Sequence, residues 1–139
     1  MAAGAVFLGG DRARGRTLLL ALWEKHAANG DPLQICAMAH NLADSETDPA
    51  SALEWDLHAL EAATGSRQAE DRDVVPPVPE TFLPSLHLNV ADCYRRLGDL
   101  ERARRHAQFA ARREGVLPDD GYGKMIRAGI RRLLAELKG

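Results

Sequence analysis

The chain has 139 residues, 45% hydrophobic and 27% charged, with a formal net charge of −2 and a pI near 6.2. That length fits one domain able to bury a core without disulfides or metal. The charge balance disfavours nucleic-acid binding, and no apolar run is long enough to span a membrane.

Charge is spread unevenly: residues 1–83 hold 6 Lys and Arg against 13 Asp and Glu, whereas residues 84–139 hold 12 against 7. This reads either as two differently solvated surfaces or as electrostatic pairing, between the halves or head to tail between molecules. Cys36 and Cys93 fall on separate predicted helices, so no disulfide framework is expected. Met1 to Gly10 has no basic residue before its short apolar run and does not read as a signal peptide, which leaves a cytoplasmic location as the default expectation.

Ala, Leu and Arg recur throughout, and Val, Ile and Thr never cluster with alternating polarity, so an all-α chain is expected. A first helix from about Asp11 or Thr17 to Asn29 carries Leu18, Leu19, Leu22, Trp23 and His26, and Gly30 ends it. Asp31-Pro32 supplies an N-cap and a preset first turn for a second helix, which carries Cys36, Met38, Ala39 and Leu42 to about Asp44. Asp48-Pro49 repeats the signal for a third, with Ala52, Leu53, Trp55, Leu57, Ala59, Leu60 and Ala63 before Gly65. Residues 66–80 include three prolines in five residues, cannot continue a helix, and read as an exposed, partly extended loop. The fourth helix starts near Pro84 and carries Leu86, Leu88, Val90, Ala91 and Tyr94 up to Gly98. Asp99 opens the fifth, with Ala103, Ala107, Phe109 and Ala110. Asp119 or Asp120 caps a sixth whose stripe is Tyr122, Ile126, Ile130, Leu133, Leu134 and Leu137. Six helices with mostly short connections predict an antiparallel stack of helix hairpins.

The unit Pro84 to Leu117 is 34 residues long, and its stretch NVADCYRRLGDLERARRHAQFA places Ala91, Tyr94, Gly98-Asp99, Leu100, Ala103 and Ala110 at regular helical places. It resembles a tetratricopeptide repeat. His87 departs from the large aromatic expected early in the first helix, Ala107 from a bulkier residue, and Pro118 arrives late. Matching Asp48 to Asp99 gives a degenerate unit at about 33–66, with Ala52 and Ala59 in the small sites and no turn glycine. Residues 66–80 then form an insertion, and helices at about 17–29 and 119–137 act as caps within a single domain over 1–139.

The resemblance implies a non-catalytic module that holds a protein or peptide partner in a groove lined by the first helix of each unit. The groove-facing places it assigns are Gln34, Asn41 and Asp44 in the degenerate unit and Leu88, Asn89, Asp92 and Arg95 in the clear one. Asn41 and Asn89 suit a peptide backbone, and Leu88 offers an apolar contact. Leu88 and Asp92 stand where relatives that grip a C-terminal carboxylate carry Lys and Asn, so that mode is not expected.

Other readings stay open. Cys36 and His40 are four apart, a helical spacing that suits metal ligands with His26 as a possible third, or equally two core residues. Glu54 and His58 share a helix face, a pattern more common for a solvated pair than for an acid–base couple, and no catalytic constellation or cofactor motif emerges. The arginines crowded between Arg95 and Arg113 either solvate the surface or meet an acidic partner, including a second copy in a homo-oligomer. The VVPPVP segment either crosses the groove or acts as a spacer.

Overall fold

Four aspartates begin four of the helices by one device. The side chains of Asp31, Asp48, Asp99 and Asp120 accept hydrogen bonds from the backbone N–H groups of Gln34, Ser51, Arg102 and Gly123 at 3.0, 3.2, 3.2 and 2.9 Å. Each satisfies a donor that the helix start leaves without a partner, a contribution of about 1 kcal/mol. The computed structural model describes residues 12–69 and 78–138. Within them the helices are α1 (Arg12–His26), α2 (Pro32–Asp44), α3 (Pro49–Thr64), α4 (Leu83–Arg96), α5 (Leu100–Arg112) and α6 (Gly121–Glu136), with no strand among the described residues.

The turn from α4 to α5 depends on Gly98, whose φ of 85° lies in the left-handed region that side chains disfavour. It lets Asp99 N–H reach back to the Tyr94 carbonyl at 2.9 Å while Asp99 caps the next helix. The equivalent turn from α2 to α3 has no glycine. Ser45 closes it instead at φ −83°, donating its hydroxyl to the Leu42 carbonyl at 2.7 Å.

The helices pack chiefly on their chain neighbours: α2 with α3 and α4 with α5 as hairpins, α3 against α4 between them, α1 on α2, and α6 on α5 and α4. Alanine sits at the crossings. Ala39, Ala59, Ala63, Ala91, Ala103, Ala107 and Ala110 are all fully buried, and so small a side chain allows the backbones to approach closely. Leu60, Leu86, Val90 and Leu57 fill the space between hairpins. At one end α1 lays Leu19 on Leu42 and sets the edge of Trp23 against Trp55, ring centres 5.0 Å apart.

Residues 1–11 and 70–77, and with them the Asp11 start and most of the VVPPVP segment, lie outside the described residues. The flanks of the expected exposed loop differ from that expectation. Ser66 is buried, because Gly65 at φ 81° reverses the chain onto α3, where Arg67 meets Glu54 at 2.9 Å. Val78 is buried in the core beside Leu83 and Leu86, and a 3-10 turn at Glu80–Phe82 leads into α4.

His87, where a large aromatic is expected, is filled into the core beside Phe109, ring centres 4.2 Å apart, with its Nδ1 2.9 Å from His106 Nδ1. One imidazole donates and the other accepts, so both must be neutral or share a single proton. Burial, the neighbouring imidazole and Arg113 push His87 down to about 3, and burial with Arg105 pushes His106 down to about 4. Both titrate near 6.5 when unfolded. The unfolded chain therefore binds protons below that pH that the folded chain refuses, and the folded state weakens as pH falls from about 6.5 toward 4 by roughly 1.4 kcal/mol per pH unit per histidine. In thermal melts between about pH 4.5 and 7, the wild-type midpoint is expected to fall on acidification, and that of a His87→Phe/His106→Leu double variant not to fall.

Candidate functional site

Alternate helices of the stack share a face, and α2, α4 and α6 line a trough along it. Its central hollow, about 430 Å³, has Cys36, Leu86 and Ile126 on its floor, Asn41 and Asn89 on opposite sides, and Phe82, Tyr122 and Met125 at its rim. A second hollow of about 290 Å³ between α1 and α2 shares Ala37 and Asn41 with it, and a third of about 250 Å³ between α4 and α6 shares Asn89. The three are therefore neighbours along one face, with the two asparagines where they adjoin.

Six of the seven groove-facing residues expected from sequence line this trough. Gln34 and Asn41 border the hollow against α1, and Leu88, Asn89, Asp92 and Arg95 border the one against α6. Asp44 lies one turn beyond, 71% exposed at its side chain, with Oδ2 3.7 Å from His40 Nε2. Leu88 is half-buried because α6 covers it: a Cβ on Gly129 would stand 2.9 Å from Leu88 Cδ2, so the absence of a side chain there admits the close approach. Arg95 ties the same two helices together, bonded to Asp92 at 2.9 Å and to Glu136 at 3.3 Å. The polar end of the trough is thus internally paired, and the open apolar contacts are elsewhere.

Those contacts come from residues that sequence reading left out. Met125 is 63% exposed and Tyr122 40%, both on the helix taken for a cap, and Phe82 sits in the 3-10 turn before α4. Tyr122 donates its hydroxyl to Ser85 Oγ at 3.2 Å, which fixes the start of α6 over α4. The available signal was Tyr122, Met125 and Ile126, whose spacing extends the apolar stripe around the helix toward a second face.

Cys36 and His40 line the central hollow together, but His26 lines the hollow beyond Ala37. Burial pushes the Cys36 thiol up to about 11, which keeps it protonated. Among the described residues no group of three or more His, Cys, Asp or Glu is placed to hold a metal ion. His40 Nδ1 is buried without a hydrogen-bond partner among the described residues. Glu54 and His58, 3.5 Å apart, lie outside the trough, and Glu54 also takes Arg67.

One acidic group lies beneath the trough. Asp56 is 5% exposed, on the inner stripe of α3 with Ala52, Ala59 and Ala63, and accepts a bond from Cys93 Sγ at 3.5 Å. Burial pushes its carboxyl up to about 7, and the nearby Asp44 and Asp92 push the same way against the thiol bond that lowers it. The Cys93 thiol is pushed up to about 12 by burial and by Asp56. Compared with protein families, characterised proteins and solved structures, the chain shows no significant match to any of them.

Asp56 titrates near 3.8 when unfolded and near 7 when folded. The folded chain thus holds a proton that the unfolded chain has released, and Asp56 lowers stability progressively as pH rises from about 4 to 7. Asp56→Asn, which keeps the shape of the protonated acid, is expected to raise stability at pH 8 by roughly 2–4 kcal/mol and to change it little near pH 4. Urea unfolding at the two pH values checks this; equal effects at both would show that the carboxyl is not the cause.

Proposed function

We propose that the chain is a tetratricopeptide-like helical-repeat module that binds, without catalysis, an extended segment of a partner protein along the trough of α2, α4 and α6. The observation that carries this reading is the succession of three hollows that adjoin at Ala37, Asn41 and Asn89. The repeat character is supported by the two hairpins: Ala52 and Ala59 of α3 recur as Ala103 and Ala110 of α5, 51 residues on, and all four are buried.

The chemistry of the lining suits a peptide. Each asparagine amide offers both a donor and an acceptor, which matches the N–H and C=O of an extended backbone. Leu86 and Ile126, with Met125 above them, accept an apolar side chain, and methionine adapts its shape to more than one. His40 Nδ1, buried and unpartnered beside the same hollow, gains from any incoming polar group able to reach it. The apolar role expected of Leu88 passes to Met125 and Ile126, since Leu88 is held under α6.

A random peptide library displayed on phage and panned on the immobilised protein tests the reading. Enriched peptides are expected to bind the wild type with micromolar affinity and an Asn89→Ala/Met125→Glu variant at least about tenfold more weakly, a loss of roughly 1.4 kcal/mol. Both positions are accessible, so the variant should keep the wild-type circular dichroism and melting temperature. No enrichment, or peptides indifferent to the two substitutions, would exclude the trough as the binding surface.

A further inference from the structure

Away from the trough, α5 and α6 line a hollow of about 540 Å³. Arg104 and Gln108 line it from α5, Arg131 and Leu134 from α6, and Leu137 and Lys138 close it past the end of α6. Among the described residues, no residue that lines it is acidic. Neighbouring arginines are committed to carboxylates: Arg95 to Asp92 and Glu136, Arg102 to Asp99, Arg105 to Glu101. Arg104, Arg131 and Lys138 have no carboxylate within ion-pair distance among the described residues. Arg104 is also held in place, because its Nε donates to the Leu137 carbonyl at 2.9 Å. That bond restrains the guanidinium at the hollow, so less further ordering is needed to engage an anion.

We propose that this hollow is a second docking site, which takes a short acidic segment of a partner protein bearing an apolar side chain. Carboxylates meet Arg104, Arg131 and Lys138, and the apolar group rests on Leu134 and Leu137. A long polyanion would meet a basic half around the hollow, 12 Lys and Arg against 7 Asp and Glu over residues 84–139, but would make no use of Leu134 and Leu137 in its lining. Cations near the end of α6 also relieve its terminal carbonyls, but Arg131 lies more than a turn before that end and lacks this role. The proposal does not depend on what the trough binds.

The test is fluorescence anisotropy with a labelled peptide of about 12 residues, alternating Asp and Glu with Leu and Phe, beside its Asn/Gln counterpart. The acidic peptide is expected to bind the wild type at low salt, and to bind at least about tenfold more weakly to an Arg131→Glu/Lys138→Glu variant and in high salt. Arg131→Gln should give a smaller loss without changing the melting temperature, and Asn89→Ala/Met125→Glu should bind it like the wild type. Equal binding of the neutral peptide, no loss with Arg131→Glu/Lys138→Glu, or loss only with the trough variant would overturn the proposal. So would tighter binding of a single-stranded RNA or of phosphatidylserine vesicles than of the peptide. A dimer at low salt, seen by light scattering and dissolved by Arg131→Glu/Lys138→Glu, would overturn it in favour of a second copy as the occupant.

Discussion

Close approach of helices at alanine crossings is the constraint from which the rest of this structure follows. Seven alanines without solvent exposure separate α2 from α3, α3 from α4 and α4 from α5. A larger side chain at such a crossing forces neighbours off their rotamers, at a cost of typically 1–3 kcal/mol. Because the hairpins sit so close, the larger residues are displaced to two margins. Leu60, Leu86 and Val90 knit the hairpins together, and Ile126, Met125 and Phe82 line the open face. Gly129 extends the same logic to α6, which is drawn onto Leu88 and becomes a wall of the trough.

Tight apolar packing makes the polar interior consequential. The paired histidines join α4 to α5, Asp56 joins α3 to α4, and the two pull stability in opposite directions with pH. Acidification charges the histidines at the expense of the fold, while alkalinity ionises a carboxyl that has only a thiol for company. The histidine pair at least satisfies itself. Asp56 occupies the place that Ala107 fills in the second hairpin, so the fold does not require a carboxyl there. It tethers α3 to Cys93 of α4, near enough to Asp44 and Asp92 to feel their charge.

Much of the architecture was legible because the local signals are strong. Asp-Pro pairs, Asp99 after Gly98 and Asp120 after Pro118 define helix starts through hydrogen bonds that span only three residues. The groove-facing residues of α2 and α4 were legible for the same reason, since a helix's phase follows from its own apolar stripe. What escaped was everything set by how one helix lies on another. The phase of α3 with Ala52, Ala59, Leu60 and Ala63 does place Asp56 inward, but a carboxylate is read as solvated by default. Tyr122 and Met125 join the trough only because α6 packs on α4, and Arg104 and Arg131 line one hollow only because α5 and α6 come together there. Val78 was read with the prolines around it, whereas its burial depends on the partner surface offered by Leu83 and Leu86.

A chain whose helices lean mainly on their immediate neighbours has little to assemble over long sequence distances. Such a topology closes short loops before long ones and folds rapidly, and it also comes apart from its ends inward. The α1 helix is the more weakly held end, fastened by Leu19 on Leu42, by Trp23 on Trp55 and by Arg16 on Glu46. It is also one wall of the hollow that Gln34 and Asn41 border. Detachment of α1 would therefore remove one wall of that hollow while leaving both hairpins intact, so the width of the hollow is tied to how firmly the edge helix is held.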